Sequence, residues 1–165
     1  MEKTFKVLNR LVSLNTIEKY AIGDAMGAMF YAEPVSTFDL DIFVILPRLE
    51  SGLITLSPLY TCLSDMGYMP EGECVLIEGI PVQFLPAYNA LVEEALEHAV
   101  EKKYNQTCTN VFTAEYLVAI AVQTGRGKDR ARVRLLLDEA EIDMPVLENM
   151  LHRFLLTQRW EEWKQ

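Results

Sequence analysis

The feature that most constrains the fold is Asp39-Leu40-Asp41, which leads directly into the apolar run from Ile42 to Leu46. That run is rich in β-branched and aromatic residues and contains no glycine or proline, so it predicts a buried strand. Side chains of a strand alternate between two faces, so Asp39 and Asp41 lie on the same face at the mouth of the strand. Two carboxylates this close repel each other unless a cation lies between them, and a divalent metal with oxygen ligands is the usual cation.

The segment before these aspartates has a pattern of its own. A short apolar run, Tyr20 to Ile22, ends at Gly23-Asp24, and a helical stretch of small residues follows from Ala25 to about Tyr31. A strand that ends in glycine, a short helix and an Asp-x-Asp that opens the next strand resemble the nucleotidyltransferase fold of the polymerase-β-like superfamily. The residues of this chain are most similar to the small bacterial branch near the AbiEii-type toxins and related nucleotidyltransferase-like proteins.

This resemblance covers most of the chain and is strongest in residues 20–46, 76–86 and 114–132. It implies an α/β fold in which helices flank a small mixed β-sheet and a C-terminal helical segment closes over the metal face. We expect residues 1–105 to form the nucleotidyltransferase-like core. Residues 106–165 are expected to form the helical segment, packed on the core as one compact unit.

The resemblance also implies an activity. It predicts transfer of a nucleoside monophosphate from a nucleoside triphosphate to a hydroxyl of an RNA or protein acceptor, with a toxin-like role. Asp39 and Asp41 would hold Mg²⁺ or Mn²⁺, which bridges the phosphates and neutralises the charge that develops during transfer. The backbone at Gly23 would cradle the phosphates, because free N–H groups at the start of a helix attract anions.

Two positions depart from the pattern of catalytic members of the superfamily. Asp24 stands where those proteins usually have glycine or serine, and it is either a helix N-cap or a nucleotide ligand. Gln83 matches the position of a third carboxylate, which completes the metal site and acts as the base. An amide cannot accept a proton from a hydroxyl, and it binds Mg²⁺ more weakly than a carboxylate does. Three alternatives stay open: weak chemistry with one metal, recruitment of Glu78 or Glu73, and nucleotide binding without turnover.

A basic segment stands out in this acidic chain. Residues 126–134 carry five basic side chains and include the start of a helix predicted over 129–140. By the resemblance, Lys128 faces the triphosphate and stabilises the leaving pyrophosphate, with Arg126 as a second phosphate contact. Asp129 either caps the helix or holds Lys128 in place. The alternative for the whole segment is a solvated helix face.

The charge of the chain bears on its partners. A formal net charge of −9 argues against an extended RNA footprint, because neutralising phosphates requires clustered lysine and arginine. A short RNA, a protein acceptor and an antitoxin-like partner protein all stay open. No apolar run approaches the ~20 residues that span a bilayer, and the N-terminus has no apolar signal region, so we expect a cytoplasmic protein without a membrane partner.

Periodicity and composition predict the remaining features. Helices are expected at 2–18, 54–66, 88–103 and 114–124 and from about residue 143, and strands at 73–78, 80–85 and, as a short edge strand, 109–112. Trp160 and Trp163 are expected to pack back on the core, and the alternative is an oligomer or partner surface. The three cysteines, Cys62, Cys74 and Cys108, lack metal-ligand spacing and are expected to be reduced and buried.

Overall fold

One mixed β-sheet with helices on both faces forms the fold. The computed structural model describes residues 1–33, 37, 39–48 and 52–164. The strands in these ranges are β1 Lys19–Ile22, β2 Leu40–Ile45, β3 Pro70–Glu71, β4 Cys74–Ile77, β5 Ile80–Pro86, β6 Val100–Tyr104 and β7 Thr107–Val111. The helices are α1 Glu2–Ser13, α2 Asp24–Ala28, α3 Ser57–Asp65, α4 Ala90–Glu97, α5 Ala114–Thr124, α6 Gly127–Glu139, α7 Met144–Arg153 and α8 Thr157–Lys164.

The strand order places β2 in the middle of the sheet. Across the described ranges the order is β3-β4-β5-β2-β1-β7-β6. β2 runs antiparallel to β1 and parallel to β5, and β1 runs parallel to β7. The predicted α/β fold, a mixed sheet flanked by helices, is therefore confirmed.

Each face of the sheet buries its own apolar layer. Leu40, Ile42 and Val44 of β2 pack in the layer that includes α1 and α3. Phe43 belongs to the opposite layer, with α4 and α5. This alternation is the period of two expected for a central strand. Asp41 shares the face of Phe43 and therefore points toward the α5 side of the sheet.

The prediction of a helix over 88–103 is wrong for the second half of that range. The helix α4 ends at Glu97, and Val100–Tyr104 forms the strand β6. The strand is mostly exposed and contains two lysines, which suits the edge of a sheet because charged side chains there oppose pairing with another chain. Helical spacing of apolar residues before Glu97 concealed this change of structure.

The strand β7 is longer than the edge strand predicted at 109–112, and it is not at the edge. It spans Thr107–Val111 and lies between β1 and β6. Its side chains Thr107, Thr109 and Val111 are buried. The prediction was wrong because the partner that covers β7 had been assigned to a helix.

Several helix bounds differ from those predicted. The helix α1 ends at Ser13 instead of residue 18, and α3 begins at Ser57 instead of residue 54. The helix α2 ends at Ala28, three residues before the predicted end. The prediction for α5 is confirmed at both ends: Thr113 accepts the N–H of Tyr116, and Gly125 ends the helix in the left-handed region.

The C-terminal helices pack on the same face of the sheet as α5. Leu136 of α6, Leu147 of α7 and Trp160 of α8 are buried in the layer of Phe43. The predicted inward packing of Trp160 is confirmed, and Trp163 packs against that layer while partly exposed. The division of the chain at residues 105 and 106 stays a prediction, and that boundary falls within the β6–β7 hairpin.

The predictions for the cysteines are confirmed in part. Cys62, Cys74 and Cys108 are free thiols, but none is fully buried: Cys62 and Cys74 are partly exposed and Cys108 is exposed. Over the described ranges, no helix combines the length and the apolar character needed to cross a membrane. The cytoplasmic location stays a prediction.

Candidate functional site

The pairing of β2 with β5 brings two of the predicted site residues together. Asp41 and Gln83 are direct neighbours in the parallel register, so their side chains lie side by side on one face of the sheet. Both line a cavity of about 290 Å³ between this face and helices α5 and α6. The residue beside Asp41 on the next strand is therefore an amide, and its match to the third-ligand position stays a prediction.

The pKa of Asp41 is raised by its surroundings. Burial and, secondarily, the charge of Asp39 raise the pKa of Asp41 to about 6, against the opposing influence of Lys128 and Arg126. Both causes disfavour the ionised form. A cation bound between the two aspartates would reverse this effect.

Asp39 lies just before β2 and is exposed. Thr37 Oγ1 donates a hydrogen bond to Asp39 Oδ1 at 3.4 Å, which restrains the carboxylate near the mouth of the cavity. Asp39, Asp41 and the Gln83 amide oxygen together offer the hard oxygen donors that Mg²⁺ and Mn²⁺ accept. In the part of the chain that the structure describes, no cluster of three or more acidic, histidine or cysteine side chains could hold a metal ion.

The two alternative acids differ in their surroundings. Glu78 lies at the turn between β4 and β5, where its Oε1 accepts a hydrogen bond from the Tyr68 hydroxyl at 2.6 Å. Glu73 immediately precedes β4. Burial, and after it the charges of Asp39, Asp41 and Glu73, raise the pKa of the Cys74 thiol.

Gly23 has a packing role in this structure. Its N–H donates to the Asp41 carbonyl at 3.1 Å, so this group is engaged in the sheet. A Cβ atom on Gly23 would lie 2.3 Å from the Phe43 ring, far inside contact distance. The glycine therefore lets the chain pass against Phe43. The predicted phosphate cradle stays a prediction, and it would depend on the N–H groups that follow Gly23.

Asp24 is not the helix N-cap that the sequence allowed. Gly23 is the N-cap residue, and Asp24 is the first residue of α2, with a positive φ of 48°. The Asp24 carboxylate instead forms ion pairs with Arg126, at 3.4 Å, and with Arg132. These pairs connect α2 to the start of α6.

Asp129 is a capping residue, as one of the two predictions had it. It is fully buried, and its Oδ2 accepts the backbone N–H of Arg126 at 3.2 Å. It also accepts the Arg126 guanidinium at 2.7 and 2.9 Å and the Arg132 guanidinium at 3.4 Å. Among the described residues its side-chain partners are these two arginines, and Lys128 is not one of them.

Lys128 is exposed and does not line the cavity, although Arg126 and Asp129 beside it do. Its charge nevertheless lowers the pKa of Asp41 against the effect of burial, so Lys128 acts electrostatically on Asp41. The phosphate contact assigned to Lys128 stays a prediction.

Sequence reasoning missed Arg132 and the aromatic end of the cavity. Arg132 is nearly buried and contacts both Asp24 and Asp129. Phe43 and Phe112 have ring centroids 5.0 Å apart, and Tyr88 lies 6.4 Å from Phe43. The spacing of Asp129 and Arg132 placed them on one helix face, which was the available signal for Arg132.

An acidic row extends from Asp41 toward the sheet edge. Gln83 lies beside Asp41, Val75 pairs with Val82, and Glu71 pairs with Cys74. This register places Gln83, Cys74 and Glu71 in one line across neighbouring strands. Glu71 and Glu73 both act on the pKa of Cys74. The sheet beyond the cavity, toward β3, therefore carries the exposed carboxylates of Glu71 and Glu73.

Solved structures with a similar fold are nucleotidyltransferase-like proteins. An antigenic nucleotidyltransferase-like protein from Paracoccidioides brasiliensis has a TM-score of 0.55 and 17% identity, over 82% of this chain and 74% of that chain. ANT(2″)-Ia in complex with adenylyl-2″-tobramycin has a TM-score of 0.55 and 14% identity, over 94% and 95% of the two chains. The solution structure of the antibiotic-resistance factor ANT(2″)-Ia has a TM-score of 0.52 and 13% identity, over 98% and 97%.

These similarities show the fold: the chain has the fold of nucleotidyltransferase-like proteins, as the resemblance in its sequence predicted. No protein-family model and no curated protein match the chain. The assignment to the AbiEii-type branch stays a prediction.

Proposed function

We propose that the protein is a metal-dependent nucleotidyltransferase that transfers a nucleoside monophosphate from a nucleoside triphosphate to an acceptor hydroxyl. The observation that carries this proposal is the register of β2 and β5. It sets Asp41 beside Gln83 on the wall of a cavity, and Asp39 lies two residues earlier, just before the strand. Two neighbouring carboxylates beside a cleft suit the metal that phosphoryl-transfer chemistry uses.

Asp39 and Asp41 are the proposed ligands of Mg²⁺ or Mn²⁺, with the Gln83 amide oxygen as a weaker third donor. The bound cation would neutralise charge on the phosphates during transfer. Lys128 and Arg126 are the proposed phosphate contacts, because both act electrostatically on Asp41 from the start of α6. The aromatic end of the cavity, formed by Phe43, Phe112 and Tyr88, suits a nucleobase.

The resemblance and the charged groups near the cavity support different classes of acceptor. The resemblance to the AbiEii-type branch supports an RNA or protein acceptor, a toxin-like role and an antitoxin-like partner. The exposed acids near β3 support an acceptor with positive charge instead. Glu71 and Glu73 would repel a phosphate backbone that approached Asp41 from this side. The match to ANT(2″)-Ia, whose structure contains adenylyl-2″-tobramycin, covers 94% of this chain and 95% of that chain. We therefore propose an amine-bearing acceptor ahead of RNA.

A second candidate function follows from Gln83. Without a third carboxylate beside Asp41, no described residue next to the metal ligands is an evident base for the acceptor hydroxyl. The protein would then be a nucleotidyltransferase-fold module that binds a nucleotide or a protein partner without turnover.

A label-transfer assay separates the two candidates. Radiolabelled nucleoside triphosphates are incubated with amine-bearing small molecules, short RNAs and candidate proteins, with Mg²⁺ or Mn²⁺. If the protein is an enzyme, we expect metal-dependent transfer that falls by more than about 100-fold in Asp41→Asn. The control is Asp65→Asn, at an exposed position at the end of α3, in which transfer should be unchanged. Nucleotide binding without transfer to any of the three acceptor classes would support the silent module.

A further inference from the structure

The helix wall of the cavity contains two cations and two anions in one network. Arg126, Arg132, Asp24 and Asp129 all line the cavity that contains Asp41. The exposed fractions of their side chains are 47%, 10%, 14% and 0%, respectively. The network is electrically neutral only because it includes both carboxylates.

The two carboxylates of this network have different roles. Asp129 is fully buried and accepts the backbone N–H of Arg126, so the start of α6 depends on it. Asp24 comes from α2, and its hydrogen-bond and ion-pair partners among the described residues are Arg126 and Arg132. Its carboxylate contributes no hydrogen bond to the start of α2, where Gly23 is the cap.

Asp24 therefore occupies a position suited to an anionic ligand. Guanidinium groups bind carboxylate and phosphate oxygens with the same geometry, and Arg132 is held in a site from which water is largely excluded. If Asp24 left this position, the remaining network would carry one net positive charge, facing the cavity. The phosphates of a nucleotide bound at Asp39 and Asp41 would enter this cavity.

We propose that Arg126 and Arg132 form a polyphosphate subsite and that Asp24 fills it as an internal anion until the phosphates of a nucleoside triphosphate displace it. The identity of the ligand rests on the proposed function. The subsite itself rests on the contacts of Asp24. Asp24 thereby sets the affinity of the site: every polyphosphate must compete with a carboxylate that the chain itself supplies.

The test is calorimetric titration with inorganic tripolyphosphate and with ATP, both with Mg²⁺, on wild type, Asp24→Asn and Arg132→Gln. Asparagine tolerates the positive φ at position 24, so the substitution removes a charge without straining the backbone. Asp24→Asn is expected to tighten tripolyphosphate binding about 10-fold, because the competing anion is gone. Arg132→Gln is expected to weaken it by a similar factor. Asp138→Asn, which removes an equal charge from an exposed position of α6, is expected to leave the affinity unchanged.

An unchanged or weaker affinity in Asp24→Asn overturns the proposal. If that variant does not fold, the wild-type side-chain NMR signals of the arginines decide instead: tripolyphosphate should shift those of Arg126 and Arg132, and their constancy overturns the proposal. The proposed function fails separately. Tighter tripolyphosphate binding in Asp24→Asn without any nucleotidyl transfer would leave the subsite and remove the activity, whereas transfer with unchanged affinity would leave the activity and remove the subsite.

Discussion

The two walls of the cavity hold their charged groups in opposite ways. On the sheet wall, Asp41 is half-buried beside the charge of Asp39, and its pKa is raised to about 6. On the helix wall, Asp129 is buried more deeply, yet it accepts hydrogen bonds from Arg126 at 2.7 and 2.9 Å. The fold completes the charge pairing of one wall and leaves the other short of cations. A carboxylate with internal partners stabilises the structure, and a carboxylate without them is available for a ligand.

The largest expected effect is on the helix wall. Asp129→Asn should destabilise the protein by about 3 kcal/mol, because removing one partner of a buried ion pair leaves the others uncompensated. Urea unfolding measures this change, and Asp138→Asn on the same helix should stay within about 0.5 kcal/mol of wild type. A loss below about 1 kcal/mol in Asp129→Asn would remove the contrast between the walls.

The next largest effect concerns the junction of the sheet wall with α2. Gly23→Ala should cost about 2 kcal/mol, because the new Cβ would overlap the Phe43 ring. The backbone at Gly23 is extended, with φ of −117°, so the cost is steric and not conformational. Phe43→Leu should recover part of the loss when it is combined with Gly23→Ala. Additive losses in the double-mutant cycle would rule out this contact as the reason for the glycine.

On the sheet wall, an Asp→Asn substitution should raise the free energy of unfolding instead of lowering it. The pKa of Asp41 in the folded protein, about 6, lies above its ordinary value of 3.8, so ionisation of Asp41 opposes folding. This penalty is absent below about pH 4, grows as the pH rises through 6, and is complete at pH 7. Asp41→Asn should therefore stabilise the metal-free protein at pH 7 by on the order of 1 kcal/mol.

Thermal unfolding at several pH values, with a chelator present, checks this prediction. The difference between Asp41→Asn and wild type should disappear near pH 4. A destabilised variant at pH 7, or a difference independent of pH, would mean that Asp41 is already paired within the chain, as Asp129 is.

The smallest expected effect concerns an ion pair outside the cavity, which serves as a reference for the effects within it. Glu94 of α4 binds Arg153 of α7 through two hydrogen bonds, at 2.6 and 2.9 Å, which lower the pKa of Glu94 from 4.5 to about 2. The pair stabilises the fold fully above about pH 5 and loses this contribution as the pH falls toward 2. Because both groups reach solvent, the contribution is expected to be below about 1 kcal/mol.

Glu94→Gln should accordingly lower the free energy of unfolding slightly at pH 7 and flatten its decline between pH 5 and pH 2. Urea unfolding at pH 7, 4 and 3 measures both effects. A decline as steep in the variant as in wild type would show that other carboxylates cause the acid sensitivity.

The contrast between the walls also explains what the sequence could predict. The sheet wall is encoded locally: Asp39 and Asp41 share a face because strand side chains alternate, and Gln83 was found by matching a second strand to the family pattern. The helix wall depends on Asp24 meeting Arg132, two residues far apart in the chain. No periodicity connects them, so Arg132 was missed and Asp24 was interpreted as a cap or a ligand.

The same distinction applies to the fold. The helix α5 was predicted at both ends because Thr113 and Gly125 mark them within the segment itself. The strand β6 was missed because it is recognisable only from its partner β7, whose own position in the sheet comes from pairing with the distant β1. Local signals predicted the ends of α5 and the side-chain alternation of β2, whereas pairing between distant segments had to come from the structure.

The most direct test of the account is thermal unfolding with each of the four nucleoside triphosphates, with and without Mg²⁺, on wild type and on Asp39→Asn/Asp41→Asn. A ligand at one hundred times its dissociation constant contributes about 2.7 kcal/mol, which raises the midpoint by roughly 5–10 °C at this chain length. The account predicts a Mg²⁺-dependent rise of this size for at least one nucleotide in wild type and its loss in the double variant. No rise with any nucleotide, or an equal rise in the double variant, would contradict a metal–nucleotide site at Asp39 and Asp41.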